Sequence, residues 1–204
     1  MRARFTILLM AALLLVAAQA PAQQLFDFLG QAVVATAPGG TLTMYSVLND
    51  PSPAGSTPIP LDFANYQYTL VVTDLQLLVD GTPQQYGNGV IAIYQDAATP
   101  ADYADPATFT DGEAILTGVV TTLTRMMFTA TLGNANGAVD WTGGTMLDLI
   151  APQDQTGWPF LSGINADSFN VEPGYDEQWD GKVEPTEPIV ATEARTWSQV
   201  KALY

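Results

Sequence analysis

The sequence predicts an all-β protein, an antiparallel β-sandwich of jelly-roll or Greek-key type, over residues 23–170. Three observations carry that expectation. The region is rich in Thr, Val, Tyr, Gly and Pro and poor in Lys, Arg and Glu, a balance that favours strands over helices. No long window in it shows a strong 3.6-residue apolar period. Short apolar segments recur roughly every ten residues with Gly- and Pro-containing turns between them, as in sandwiches and barrels.

Taken in order, Gln31–Thr36 and Thr41–Leu48 read as strands joined at Pro38-Gly39-Gly40. The stretch from Asn49 to Pro60 holds too many Pro, Ser and Gly residues for a central strand and reads as a loop. Tyr66–Val79 has the clearest alternation. Tyr66, Tyr68, Leu70 and Val72 fall on one face, and a bulge at Asp74 transfers the apolar phase to Leu75, Leu77 and Val79. Asp80-Gly81-Thr82-Pro83 is a turn and Gly89–Tyr94 a short apolar strand. Asp96–Asp111 reads as an acidic loop. Glu113–Val120 and Thr121–Leu132 read as two strands or one bent strand, and Gly133–Gly137 as a turn. Ala138–Trp141 and Thr145–Ile150 then form a hairpin about Gly143-Gly144.

The flanks differ from this region. Met1-Arg2-Ala3-Arg4, an apolar run to Ala18 and the small residues up to Ala22 have the layout of a secretory signal peptide over residues 1–22. The apolar run is too short for a permanent membrane span, so no integral span is expected once the signal is cleaved. The protein is therefore expected outside the cytoplasm, secreted, at the cell surface or in a periplasm. Residues 171–195 are acidic and interrupted by Pro173, Pro185 and Pro188, the composition of an extended linker. Residues 196–204 turn amphipathic. Trp197, Val200, Leu203 and Tyr204 share one face at helical spacing, and a helix this short needs a partner surface. They read as a docking or sorting segment for an extracellular or surface assembly partner.

The whole chain has 6 basic and 21 acidic residues, a net charge of −15, and losing Arg2 and Arg4 with the leader makes the remainder more negative still. Such a surface repels phosphate backbones, which argues against nucleic acid as a partner. The chain has no histidine and no cysteine. That removes imidazole acid–base catalysis, Ser-His-Asp and Cys-His arrangements, thiol chemistry and disulfides. No cofactor is expected other than an oxygen-bound ion.

Calcium is the ion to weigh. Asp96, Asp102, Asp105, Asp111 and Glu113 supply carboxylates from one loop, the ligand type calcium takes. The same aspartates equally suit Asx turns that only shape the loop. Residues 133–140 partly echo a calcium loop, but Leu132 and Gly143 stand where acids are required, and a hairpin turn fits better. Trp158 and Trp141 are candidate stacking platforms for a polysaccharide, against the alternative that they cap the core. Carboxylate pairs such as Asp140 and Asp148 are the least specific candidates, for a glycoside hydrolase. Arg125 is the only cation expected within the β region, paired with a carboxylate on its surface.

Residues 68–75 (Tyr68 to Leu75), 89–96 (Gly89 to Asp96) and 108–118 (Thr108 to Gly118) carry an Ile-Tyr-x-Asp strand end followed by Phe-x-Asp-Gly before a strand. Over about residues 66–120 the chain resembles secreted bacterial β-rich surface proteins of uncharacterised function, many of them sorted by a PEP-type anchor. The resemblance implies a β fold outside the cytoplasm and brings no catalytic residues. The chain departs from the anchored members in lacking the Pro-Glu-Pro, span and basic stop. Together these readings predict an exported, non-enzymatic surface or matrix protein. A carbohydrate-binding module, with or without a calcium-stabilised loop, is the alternative, and a carboxylate-based hydrolase stands behind it.

Overall fold

The computed structural model describes residues 24–50 and 57–186. Nine strands occur in it: β1 (Phe26–Val33), β2 (Thr41–Asn49), β3 (Gln67–Val79), β4 (Gln84–Gly87), β5 (Gly89–Asp96), β6 (Glu113–Met127), β7 (Leu132–Gly143), β8 (Trp158–Asn165) and β9 (Glu177–Val183). The expected sandwich is not what they build. Every neighbouring pair is antiparallel, and the last strand returns to the first, with Phe26 opposite Val183 and Ala32 opposite Glu177. The sheet closes into an eight-stranded antiparallel β-barrel. In-and-out alternation is the same for a barrel wall and a sandwich sheet. The two differ only in what pairs with the first strand's free edge, and here that partner is the last described strand, β9.

Nine strands make eight staves because β4 and β5 act as one interrupted strand. β5 pairs with β3 over Gln67–Thr73 and with β6 over Glu113–Val120. β4 then fills the same gap further along, opposite Gln76–Val79 and Leu123–Arg125. The interruption lies where Asp74 and Asn88 adopt left-handed backbone, with φ of 54° and 60°. Asp and Asn tolerate this region better than other side-chain-bearing residues. Gly89 completes the corner, since a Cβ there would lie 2.7 Å from Leu75 Cδ1. The bulge expected at Asp74 is therefore present.

Inward-facing residues alternate along every stave and fill the interior. Phe26 stacks on Trp158 at 6.0 Å, and Trp141 meets both rings edge-on at 6.1 and 5.8 Å. Phe160 bridges Phe28 and Trp179. An eight-stranded barrel is just wide enough for side chains to fill it, and these large rings do so.

The two ends are built differently. At the terminal end the chain enters and leaves, and the loops after β2, β5 and β7 are long. Ile59 and Ile150 close this end, with Leu61, Phe63, Met146 and Leu147 packed behind them. At the hairpin end the connections are residues 34–40, 80–83, 128–131 and 166–176.

Several local expectations are corrected. Residues 133–137 are not a turn but part of β7, opposite β6 on one side and β8 on the other. Asn and Gly suit a turn, but here Gly137 lets the walls approach, since a Cβ there would lie 2.6 Å from the Thr122 carbonyl oxygen. The strand expected over 145–150 is a 3-10 turn at Leu147–Leu149. β9 falls inside the stretch read as an acidic linker. It alternates Glu177, Trp179, Gly181 and Val183 inward with Gln178, Asp180 and Lys182 outward, so its charge masks a strand pattern.

Candidate functional site

Three places gather polar or aromatic groups in ways that bear on function: the interior at the hairpin end, the outer wall over β1–β3, and a cleft at the terminal end.

The interior site is centred on Arg125. In β6, Leu123, Arg125 and Met127 share the inward phase, so the guanidinium points into the barrel and not onto its surface as expected. Glu177, in β9, is 2 % exposed and faces it. Arg125 donates through Nε to Glu177 Oε2 at 3.0 Å and through Nη2 to Glu177 Oε1, a two-pronged ion pair. Its Nη1 donates to Gln84 Oε1 at 2.8 Å, and Tyr86 Oη donates to the same oxygen at 3.0 Å. Trp179 Nε1 donates to Glu177 Oε2 at 2.9 Å. Burial works against the charged guanidinium, but the hydrogen bonds and charge of Glu177 outweigh it and hold Arg125 above its ordinary pKa. Burial pushes the Tyr86 phenol up to about 12, partly opposed by Arg125. The carboxylate is held by three N–H donors and the Gln84 amide oxygen accepts from two partners. The Gln84 amide nitrogen in turn donates to exposed Asp80 at 3.0 Å, so each of these polar groups has a partner, which is the condition for a buried ion pair to be tolerated.

The outer site explains where the acidic loop goes. The loop after β5 folds back over the barrel wall and buries Phe109 completely on the outside of β2 and β3. Thr69 Oγ1 donates to the Phe109 carbonyl at 2.6 Å. The rings of Tyr45 and Tyr103 lie 5.4 and 4.9 Å from Phe109. The connection from β8 to β9 comes from the opposite end and adds Tyr175, which meets Tyr103 edge-on at 5.7 Å and donates to its carbonyl at 3.2 Å. Tyr103 donates in turn to the Leu29 carbonyl at 3.3 Å. Two loops from opposite ends are thus pinned together by aromatic rings, and burial pushes the Tyr103 phenol up to about 12.

The proposed calcium ligands serve this loop's own backbone. Asp96 accepts from the Ala98 and Thr99 amides at 3.0 and 2.7 Å, which lowers its pKa. Asp102 accepts from Ala104 N, and Asp105 caps the 3-10 turn at Pro106–Phe109 through Ala107 N. Asp111 and Glu113 lie at the entry to β6. Among the described residues no three acidic side chains come together as an ion site.

The cleft lies between the loop entering β3 and the start of the acidic loop. It is about 250 Å³ in volume and is lined by residues 63–67 and 96–100. Tyr66, 37 % exposed, supplies an aromatic wall beside Tyr68 at 6.4 Å. Gln67 accepts from Ala101 N through its carbonyl oxygen at 2.6 Å, which directs its amide nitrogen elsewhere. Asn65 donates to Asp62 at 2.7 Å. The backbone amides keep Asp96 ionised at this rim. An aromatic face, an amide and a carboxylate around a small opening are groups that recognise a polyhydroxylated ring. A shallower groove of about 480 Å³ crosses the outer faces of β7, β8, β9 and β1, between Asn134, Asn136, Asp180 and Lys182.

Trp158 and Trp141 are both 1 % exposed inside the barrel, so neither offers a face to a polysaccharide. Trp158 donates its indole N–H to the Asp154 carbonyl, while Trp141 Nε1 is buried without a partner among the described residues. Trp179, which lies within residues 171–195 read as a linker, is equally buried. Asp140 faces outward and accepts from Gly157 N at 2.7 Å, and Asp148 sits in the 3-10 turn after β7, so neither belongs to an interior cleft. Trp197, Val200, Leu203 and Tyr204 lie outside the described residues. Sequence reasoning missed the Glu177 partner of Arg125 and the Tyr66 cleft. The signal for the first was the inward phase of Arg125 between Leu123 and Met127. No local pattern marks the second, because its walls are 30 residues apart. Among the described residues no helix is long and apolar enough to cross a membrane. Comparison with protein-family models, with curated proteins and with solved structures finds no match to this chain.

Proposed function

We propose that this chain is an exported, non-enzymatic interaction protein of a cell surface or extracellular matrix, which works through its outside. The observation that carries the reading is the state of the interior. Among the described residues it is filled by large rings, and the Arg125–Glu177 ion pair is spent on hydrogen bonds within the network. A reacting group needs an unspent partner within reach of a substrate, and Arg125 and Glu177 offer none. The leader-like residues 1–22 support export, and the amphipathic 196–204 supports docking to an assembly partner. Deleting residues 196–204 is expected to change localisation or assembly while thermal stability stays the same. Unchanged localisation and assembly would remove the docking reading, and a large loss of stability would show that the segment belongs to the fold.

The Tyr66 cleft favours carbohydrate binding as a second reading. Its aromatic wall and Asp96 suit a neutral sugar, whereas the molecule's negative charge opposes acidic polymers. In pull-downs on insoluble neutral polysaccharides, Tyr66→Ala is expected to weaken retention at least tenfold, and retention should survive EDTA. Equal retention of the wild type and the variant would discard the cleft.

A further inference from the structure

We infer that the hairpin end of the barrel is a receptor for residues 195–204 of a second copy, so that the chains join head to tail. This rests on the docking role proposed for that segment and names its partner.

The receptor is an apolar rim. Phe128 and Leu132 flank the β6–β7 turn at 60 % and 52 % exposed, and Phe169, in the neighbouring connection, is 96 % exposed. The two connections touch, since Ala166 N donates to the Thr131 carbonyl at 2.8 Å. Met126 extends the patch down the outer face of β6. Large aromatic and aliphatic side chains this open, grouped on two adjoining turns, are the signature of a covered surface. Asp80, Glu172 and Asp176 stand exposed on the connections at the same end.

Charge selects the occupant. Apart from Arg2 and Arg4 in the leader, the chain has four cations: Arg125, Lys182, Arg195 and Lys201. The first is buried against Glu177 and the second pairs with Glu184 at 3.0 Å. The remaining two bracket the apolar residues Trp197 and Val200, with Leu203 and Tyr204 just beyond. Residues 195–204 join two cations to large apolar residues in sequence, and the hairpin end carries exposed apolar residues and exposed carboxylates, so the two are complementary in charge and in apolar character.

Geometry selects a second copy over the same chain. The described chain leaves at the terminal end, where Glu184 N donates to the Pro159 carbonyl and Thr186 to the Gly157 carbonyl. The rim is at the opposite end. Ten residues lie between Thr186 and Trp197, at most about 40 Å when fully extended. To reach its own rim this link would have to lie stretched along the whole wall, at a cost in chain entropy. No such stretch is needed to reach the rim of a following molecule. The contact is heterologous, so it repeats without closing.

The test uses the full chain after leader cleavage, in two variants. One carries Phe128→Asp and Phe169→Asp, both exposed positions. The other carries Trp197→Asp and Leu203→Asp. The wild type is expected to grow in mass with concentration in light scattering, and less so at high salt. Each variant alone is expected to stay monomeric, and an equimolar mixture to form a one-to-one complex, because each supplies the half the other lacks. A wild type that stays monomeric at all concentrations overturns the inference, and so does a dimer that neither variant disturbs. If the monomer still loses its localisation when residues 196–204 are removed, the docking role stands with another partner. If localisation also persists, both fail together.

Discussion

Glu177→Ala is expected to lose about 3–5 kcal/mol of folding stability, most of what a domain of this size has in reserve. The substitution leaves the Arg125 guanidinium inside the barrel with Gln84 as its remaining side-chain partner and orphans Trp179 Nε1. The guanidinium cannot shed its charge, because Arg125 keeps its proton at any accessible pH, and only 13% of its side chain is exposed to water. Replacing both members, as in Arg125→Met with Glu177→Leu, is expected to recover most of the loss, since a well-packed apolar pair replaces a buried ion pair at little cost. Urea denaturation of the two single variants and the double variant measures the coupling. If Glu177→Ala costs less than about 1 kcal/mol, the pair is solvated and this network is not what holds the hairpin end.

Phe109→Ala is expected to cost about 3–5 kcal/mol, the range for emptying a fully buried aromatic site. Its effect should be regional as well as global. Phe109 contacts Tyr45 and Tyr103, and Tyr103 passes the contact to Tyr175 in the other loop. Limited proteolysis should therefore open residues 97–112 and 166–176 together, at denaturant concentrations where the barrel still resists. Cleavage confined to the first loop would show that the two are held independently.

The parts of this fold that were legible in the sequence are those in which one residue's environment is set by near neighbours. β2 was readable because Leu42, Met44, Ser46 and Leu48 alternate with the less buried Thr43, Tyr45 and Val47, and β3 because Tyr68, Leu70 and Val72 recur every second residue, although Thr69 and Val71 between them are buried as well. The Asp74 bulge was readable because the apolar phase slips there. Closure was not, because nothing near Phe26 reports that Val183 will lie beside it. β9 was hidden because its outward face carries Asp180 and Lys182, and its inward face carries Glu177 and Gly181 beside only two apolar residues. For the same reason Arg125 was placed on the surface: its partner enters with the last strand. Trp158 and Trp141, weighed as stacking platforms, lie inside the barrel. Trp158 follows a glycine and precedes a proline, as loop residues do, yet it begins β8. At the candidate cleft, no residue is unusual alone, and the arrangement exists only once two loops meet.

The seam between β1 and β9 sets the order of events in assembly. β1 lies near the start of the chain and β9 near the end of its described part, so the barrel has two open edges until residue 183 is available. Pairing so distant in sequence is slow, because the entropy of the intervening chain is lost before the contact contributes. Synthesis delivers the stave that locks the structure last, together with the carboxylate that neutralises Arg125. The emerging portion holds an unpaired edge and an unmatched charge, and neither is resolved until the closing strand arrives.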